Sequence, residues 1–308
     1  LLSSGQGCSD KPLHVLMKEI AAVGLKTESE KKEWLFVSWS SFTRHEVFIF
    51  NKLISGSFRV GVSAQLVFKA LAKAFLMDEK IVAHRLMGNW LPGNTTLQEL
   101  LLNENDDSRE SQPYPFYLAY QLDVSNEQLG DPTEWIIERK YDGIRGQIIV
   151  RNNAVHVWSR GEELMSEKFP EFAVLSQILP DGTVLDGEIL PFKNGEILSF
   201  NEMQKRIGRK NPGKKILNDI PLALMCYDLL EFNHKDIRDQ PLWQRRQALE
   251  ELIKGQSQLL QLSPVLQCSS WQEAETEREK ARELACEGLM LKHRDSVYET
   301  GRRRGKWW

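Results

Sequence analysis

Cysteine is scarce in this sequence, and its few copies are scattered. The 308 residues include only four cysteines, Cys8, Cys226, Cys268 and Cys286, and no two of them form a C-x-x-C pair. This arrangement argues against a zinc ribbon and against a disulfide framework. It favours a reducing, cytosolic setting.

Long apolar runs and a strong charge of one sign are also missing. No run approaches the roughly 18 apolar residues that a membrane-spanning helix needs, and no secretory signal pattern is visible. With 41% hydrophobic and 27% charged residues the composition is that of a globular protein. The net charge of −3 does not indicate a nucleic-acid partner, but local basic clusters occur at residues 205–215 and 302–306.

Helical periodicity dominates the first part of the chain. In residues 64–77, AQLVFKALAKAFLM, one stripe contains Leu66, Val67, Ala70, Leu71, Phe75 and Leu76. This spacing predicts an amphipathic helix, and Ser63 is a candidate N-cap. The acidic, polar, proline-bearing segment NENDDSRESQPYP at 103–115 predicts a linker.

Strand patterns dominate the second part. The segments EWIIER and GQIIVR-NN-AVHVWS alternate apolar and polar residues, and Asn152-Asn153 predicts a hairpin turn. GTVLDGEILPF-KNG-EILSF repeats this scheme, and PLALMCYDLLEF predicts a buried strand. PLWQRRQALEELIK and SWQEAETEREKARELA predict helices between strands. We therefore expect an α+β, mostly antiparallel second part.

A near match to a phosphate-binding loop occurs at residues 208–215, GRKNPGKK. A P-loop needs a Ser or Thr hydroxyl for Mg²⁺ where this chain has Lys215, and a helix must follow the loop. Pro221 comes too soon for a good helix, so a Walker A site is disfavoured. Two interpretations of this segment are left: a solvated basic loop, or a loop that contacts a phosphodiester backbone.

Lys140 lies between an apolar strand pattern and an Asp-Gly turn, in EWIIERKYDGIRG. A protonated lysine is a poor nucleophile, and desolvation or a nearby cation such as Arg145 frees the amine. Taken alone, K-x-D-G also describes an ordinary lysine beside a hairpin turn.

Three further motifs follow Lys140 in order. VLDGEIL puts Glu188 on a strand, MCYDLLEF puts Tyr227 near the end of an apolar strand, and CEGLMLK puts Glu287 five residues before Lys292. Each is unremarkable by itself, as an edge-strand acid, a sheet aromatic and a helix-to-strand junction. The ordered set K-x-D-G-x-R, D-G-E, Y-D and E-G-x-x-x-K is not expected by chance.

This ordered set resembles the motifs of the covalent nucleotidyltransferases, and most closely those of the ATP-dependent DNA ligases. The resemblance covers residues 114–308. FNKLISGSFRVGVSAQLVFKALAKA at 50–74 resembles the helical DNA-binding domain of larger ATP-dependent ligases, and MGNW and SQPYPF are in keeping with bacterial members. The resemblance implies an α+β multidomain fold. An all-helical DNA-binding domain (1–112) would precede an antiparallel-sheet-rich nucleotidyltransferase (adenylylation) domain of the ATP-grasp-like ligase type (113–308).

The resemblance also implies a role for each motif residue. Lys140 would attack the α-phosphorus of ATP and form a lysyl-AMP phosphoramidate. The other assignments are Glu138 at the adenine edge, Arg145 near the ribose or phosphates, Arg160 at a nucleotide or nick phosphate, Tyr227 stacked on adenine, Lys292 at the α-phosphate, and Glu188 and Glu287 at the ribose and a divalent metal, Mg²⁺ or Mn²⁺.

Nicked double-stranded DNA is the partner that the resemblance implies. A ligase must accept any sequence, so we expect contacts mainly to the DNA backbone. Candidates are Arg59 and the backbone amides of Gly61 and Ser63 at a helix start. We expect a monomer that is cytoplasmic in a bacterium and not attached to a membrane. ATP is favoured over NAD⁺ because the four-cysteine zinc module and the nicotinamide-binding region of NAD⁺-dependent ligases are not visible.

Some family features are not found within this sequence. The K-x-K motif and the OB-fold domain follow RGKWW in the family, so we expect them beyond Trp308 in a longer polypeptide, and Lys306 is not assigned their role. The resemblance also predicts further helices of the DNA-binding domain before PLHVLMKEI. The predicted function is nick sealing, with an RNA ligase or a non-catalytic nick-binding module as alternatives.

Overall fold

A computed structural model of the protein describes residues 10–56, 62, 64–87, 94–102, 111–208, 212–284 and 286–308. The chain forms two compact units, Leu1–Val67 and Phe68–Trp308. This structural boundary lies inside a helix, whereas the functional boundary that we predicted at 112/113 follows the acidic linker. The functional boundary stays a prediction, and residues 103–110 of the linker lie outside the described residues.

The described part of the first unit is helical. Its helices are α1 (Leu13–Ala22), α2 (Glu28–Ser41) and α3 (Arg44–Ile54). Thr27 and Thr43 begin α2 and α3 with capping boxes, in which each threonine side chain and the glutamate three residues later satisfy free backbone N–H groups. The core of this unit contains Leu16, Phe42, Val47 and Phe50.

Among the described residues, three more α-helices precede the first strand, namely α4 (Ala64–Phe75), α5 (Glu79–Arg85) and α6 (Leu97–Leu102). Helix α4 confirms the predicted helix, but its predicted apolar stripe is partly wrong. Leu71 and Phe75 pack with Val82 and Leu101, whereas the exposed residues of the predicted stripe are Leu66, Val67, Ala70 and Leu76. The side that packs runs through positions 68, 71, 72 and 75, an i, i+3, i+4, i+7 spacing.

The main sheet is antiparallel along the order β4-β3-β5-β7-β8. Its strands are β3 (Ile144–Arg151), β4 (Ala154–Ser159), β5 (Thr183–Lys193), β7 (Leu222–Phe232) and β8 (Lys235–Asp236). Strand β6 (Glu196–Ile197) pairs with β5, and β9 (Leu260–Leu262) runs parallel to β7. The predicted α+β, mostly antiparallel character is confirmed.

Three two-residue turns join neighbouring strands of this sheet, at 152–153, 194–195 and 233–234. Both residues of each turn have positive φ, between 50° and 89°. Asn and Gly tolerate this conformation, and such turns match the right-handed twist of the strands. The hairpin predicted at Asn152-Asn153 is confirmed.

Two smaller strand pairs complete the sheets. Strand β2 (Trp135–Tyr141) is antiparallel to β10 (Cys286–His293), and β1 (Tyr117–Leu118) is parallel to β11 (Gly301–Arg302). The remaining helices are α7 (Asn126–Leu129), α8 (Phe200–Ile207), α9 (Lys214–Asp219), α10 (Leu242–Ile253) and α11 (Trp271–Glu279). Helices α10 and α11 confirm the predicted helices.

The near P-loop is followed by the six-residue helix α9, which ends before Pro221. Residues 209–211 of this segment lie outside the described residues. The largest hydrophobic core joins β3, β5 and β7 to α8 and α10, through residues such as Ile148, Leu185, Met203, Leu224 and Leu249. Among the described helices, none is long and apolar enough to cross a bilayer.

Candidate active site

A cleft of about 830 Å³ opens in the second unit, and strands β2, β3, β5, β7 and β10 contribute to its lining. The residues that the motifs assigned to ATP or metal all line it: Glu138, Lys140, Arg145, Arg160, Glu188, Tyr227, Glu287 and Lys292. Pairing between strands distant in sequence therefore collects the motifs at one place. Their individual roles stay predictions.

Lys140 lies near the end of β2, at the rim of the cleft. Across the β2–β10 pair Cys286 faces Tyr141 and Gly288 faces Lys140, so Glu287 is the extra residue of a β-bulge. Bulges re-aim side chains, and here the Glu287 carboxylate forms an ion pair with the Lys140 ammonium. Both side chains are 47% exposed, so the lysine is accessible from the cleft.

Arg145 is fixed by a buried carboxylate. Its Nε and Nη2 donate to the two oxygens of Asp186 at 3.2 and 2.8 Å, and its Nη1 donates to the Tyr117 carbonyl oxygen at 2.7 Å. Tyr298 donates its hydroxyl to the same carboxylate at 2.7 Å. This bidentate contact sets the direction of the guanidinium.

Glu188 lies opposite Arg145 in the β3–β5 pair. Burial raises the pKa of its carboxyl to about 7, against the opposing effect of the Arg145 cation. The neighbouring Asp186 raises this pKa further, whereas Lys140 and Arg160 lower it. A carboxylate in this setting is stabilised by any additional cation that enters the cleft.

The floor of the cleft holds a buried ion pair. Glu138 is 1% exposed, and its Oε2 accepts a hydrogen bond from Lys292 Nζ at 2.6 Å. The Lys292 ammonium lies 4.0 Å from the centre of the Tyr227 ring and 4.8 Å from that of Trp307. Such cation–π contacts add to the attraction of the carboxylate.

A second β-bulge positions Tyr227. Cys226 faces Gly187 and Asp228 faces Asp186 across the β5–β7 pair, so Tyr227 is the extra residue between them. A bulge interrupts the alternation of side chains along a strand, and the same pair has another register shift where Val184 faces Glu231 and Leu185 faces Leu229. The two bulges thus set two of the predicted site residues, Tyr227 and Glu287.

Two motif glycines permit close approach of backbone segments. A Cβ at Gly143 would lie 2.6 Å from the Ile189 carbonyl oxygen and 2.9 Å from Glu188 Cγ. At Gly187 it would lie 2.6 Å from the Met225 carbonyl oxygen. K-x-D-G and D-G-E therefore need glycine because the lysine turn packs on β5 and β5 packs on the bulge of β7.

Sequence reasoning missed several residues of this site. Asp186 and Tyr298 fix Arg145, and Trp307 and Arg302 line the cleft. Asp186 could have been found from the sequence, because it is an acidic residue inside an otherwise apolar strand. The predicted DNA contacts Arg59, Gly61 and Ser63, and the predicted N-cap at Ser63, lie outside the described residues.

Comparisons with known proteins show which family the chain resembles. A family model described as ATP dependent DNA ligase domain matches residues 117–308. A probable DNA ligase of Koribacter versatilis is 29% identical over 97% of this chain and 55% of its own length. Mycobacterial DNA ligase D, solved in complex with ATP and MES, superimposes with a TM-score of 0.51 at 27% identity, over 63% of this chain and 58% of that chain.

A further solved chain, Pmar-Lig_PreS3, covers 100% of this chain and 66% of its own length, with a TM-score of 0.61. At 18% identity this likeness shows the fold alone. The chain spans about half the length of the curated relatives that it matches, 55% and 52% for two of them. The second unit thus combines helices with a curled antiparallel sheet that resembles the nucleotidyltransferase domain of ligases.

Proposed function

This chain belongs to the ATP-dependent DNA ligase family, and on that premise we propose that it forms a lysyl-AMP intermediate for sealing nicks in double-stranded DNA. One observation carries the proposal. The accessible Lys140 shares its cleft with the cations Arg145 and Lys292 and with the aromatic ring of Tyr227. The residues that we assign as nucleophile, as charge-stabilising groups and as base-stacking surface therefore line one cleft.

In the first step, the Lys140 amine attacks the α-phosphorus of ATP. The new N–P bond forms as the bond to the β-phosphate oxygen breaks, the amine gives up a proton, and pyrophosphate leaves. Phosphoryl-type transfer depends on positioning and on cations near the non-bridging oxygens. Arg145 and Lys292 fit this need, and stacking of adenine on Tyr227 contributes roughly 1–3 kcal/mol to nucleotide binding.

A divalent cation fits the carboxylates of the cleft. Mg²⁺ takes oxygen ligands, uses one or two carboxylates and keeps other positions for water and phosphate. Glu188 and Glu287 supply such a pair, and the high pKa of Glu188 reflects a buried acid that a cation would stabilise in its charged form. When bound, Mg²⁺ or Mn²⁺ would neutralise charge on the phosphates of ATP.

The second and third steps need nicked DNA. The 5′-phosphate of the nick attacks the phosphorus of lysyl-AMP and releases Lys140, and the 3′-hydroxyl then attacks that 5′-phosphate and releases AMP. Arg160, at the cleft, is the proposed phosphate contact on this side. We assign DNA binding to residues 1–112, with Arg59, Gly61 and Ser63 as contacts, and adenylylation to residues 113–308.

Intact mass spectrometry tests the first step. The chain is incubated with ATP and Mg²⁺, then with pyrophosphate, and we expect one AMP that maps to Lys140 and is removed by pyrophosphate. Lys140→Ala should abolish the adduct, whereas Lys168→Ala, which removes a surface lysine paired with Glu163, should not. An adduct that persists in Lys140→Ala would contradict the proposal.

Nick sealing by the full-length protein tests the later steps. Paired assays on DNA and RNA nicks distinguish a DNA ligase from an RNA ligase. Nick binding without an AMP adduct under any condition would instead indicate a non-catalytic binding module.

A further inference from the structure

The buried carboxylate of Glu138 has two cationic partners, one on each oxygen. Lys292 Nζ donates to Oε2 at 2.6 Å, and Arg246 Nη1 donates to Oε1 at 2.5 Å. Glu138 and Lys292 line the cleft, whereas Arg246 lies outside that lining on helix α10. The carboxylate therefore separates a cation that faces the nucleotide site from one that does not.

Arg246 is held firmly where it is. It is 5% exposed, its Nη2 donates to the Ser263 carbonyl oxygen, and its Nε donates to Glu250 at 3.4 Å. An arginine stays charged at all relevant pH values and its planar fork can serve several acceptors at once. Arg246 is thus a permanent partner of Glu138.

Lys292 is the exchangeable partner. The Lys292 ammonium bonds the Glu138 carboxylate at 2.6 Å, and turning towards a phosphate of ATP would draw it away from that carboxylate. If Lys292 were the sole counter-charge, its departure would leave an ionised carboxylate buried and unpaired, which is strongly unfavourable. With Arg246 present, Glu138 keeps one charged hydrogen bond throughout.

We propose that Arg246 is a positioning residue for nucleotide binding, which allows Lys292 to move from Glu138 to the phosphates by remaining as the counter-charge of Glu138. This inference rests on the proposed function, since it concerns the same nucleotide site. It adds a residue that acts through Glu138 and touches neither base nor phosphate. If this is correct, the phosphates of ATP add to binding affinity only when Arg246 is present to balance the charge of Glu138 after Lys292 leaves it.

Equilibrium binding of two probes measures that contribution without chemistry. The probes are adenosine and the α,β-methylene analogue of ATP, whose bridge between the α- and β-phosphorus is not cleaved. The dissociation constant of adenosine divided by that of the analogue reports how much the phosphates add to affinity. Arg246→Met should weaken the charge-assisted hydrogen bond between Lys292 and a phosphate, and it should therefore lower this ratio about tenfold or more.

Arg245 offers a matched control on the same helix. It is fully buried and bonds Asp228 at 2.7 and 2.8 Å, so Arg245→Met removes an equally buried ion-paired arginine that has no contact with Glu138 among its described hydrogen bonds. This variant should lower thermal stability and leave the binding ratio unchanged. A merely structural role of Arg246 would make the two variants behave alike.

A double-mutant cycle with Lys292→Met sharpens the test. Once Lys292 is gone, Arg246→Met should change the ratio no further, because the two residues act in one network. If Arg246→Met does not fold, Arg246→Lys takes its place; it keeps a charge without the planar fork and should give an intermediate ratio.

An unchanged ratio in a folded Arg246 variant, or an equal fall in the Lys292→Met background, would overturn the inference. Binding is read separately from the AMP adduct. A wild-type chain that binds the analogue and responds to Arg246→Met but forms no adduct would contradict the proposed function alone.

Discussion

The rim and the floor of the cleft each contain a lysine paired with a glutamate, but the two pairs differ in exposure. At the rim, Lys140 and Glu287 are both 47% exposed. At the floor, Lys292 and Glu138 are both 2% exposed as side chains, and Arg246 adds a second cation. One pair lies in high dielectric and the other in low dielectric.

The energetic consequences are opposite. An exposed ion pair contributes about 0–1 kcal/mol to stability and separates easily. Removing one partner of a buried pair leaves an uncompensated charge and destabilises the fold by about 3–5 kcal/mol. The rim therefore suits Lys140, to which we assign the attack on phosphorus, because its partner is easily left. At the floor, Lys292 could leave Glu138 only because Arg246 stays as the counter-charge of that carboxylate.

Substitutions of the two glutamates test this contrast directly. Glu138→Ala leaves Lys292 and Arg246 buried without their carboxylate, and should lower the free energy of unfolding by about 3–5 kcal/mol. Glu287→Ala, the matched change at the rim, should lower it by about 1 kcal/mol or less. Urea denaturation at neutral pH measures both, and equal losses would contradict the contrast.

The sequence predicted what depends on local chemistry. The turn at Asn152-Asn153 needs two residues that tolerate positive φ, and two adjacent asparagines are enough to predict it. The motif residues were also found, because each lies in a short segment of strand and turn signals. Their meeting in one cleft was an implication of family resemblance, not of any local pattern.

Features that depend on pairing between distant segments could not be predicted. Arg246 is 108 residues from Glu138, and the bulges at Tyr227 and Glu287 exist only relative to a partner strand. The prediction of the buried side of helix α4 was wrong for the same reason. Its amphipathic character is local, but which residues are covered depends on the neighbours that tertiary structure supplies, and Leu66 was therefore misplaced.

A half-buried histidine sharpens the comparison, because desolvation acts on it without a paired carboxylate of the kind found at the floor. His84 stacks on Tyr114 with ring centres 4.9 Å apart, and burial lowers the pKa of its imidazole to about 4 from 6.5, although a hydrogen bond to the Gln112 carbonyl opposes this. The His84 imidazole therefore binds a proton near pH 6.5 in the unfolded chain, but only near pH 4 in the folded chain.

Stability should fall as the pH drops from 6.5 towards 4, by up to about 3 kcal/mol from this group, since each unit of pKa difference corresponds to about 1.36 kcal/mol. His84→Phe keeps a ring on Tyr114 and should remove this part of the pH dependence. His14→Phe, at a histidine on the surface of α1 in the first unit, is the control. Identical pH profiles of wild type and His84→Phe between pH 4 and 6.5 would rule out the effect.

The smallest expected effect concerns how the rim is held against β5. Gly143→Ala would place a methyl group 2.6 Å from the Ile189 carbonyl oxygen and against Glu188, and such overpacking destabilises by about 1–3 kcal/mol. Gly161→Ala is the matched control at another cleft glycine, where the nearest atom to the new methyl group would be Ser159 Oγ at 3.7 Å.

Because Lys140 and Glu188 lie on either side of Gly143, the overlap should also displace the lysine from the carboxylate that we assign to the metal. We therefore expect Gly143→Ala to slow lysyl-AMP formation by about 100-fold, in line with the effect of a 1 Å displacement at a reacting centre, while Gly161→Ala reacts at the wild-type rate. The initial rate of adduct formation measures this. A Gly143→Ala protein that loses stability but keeps its rate would contradict this expectation and show that the rim adapts to the shift.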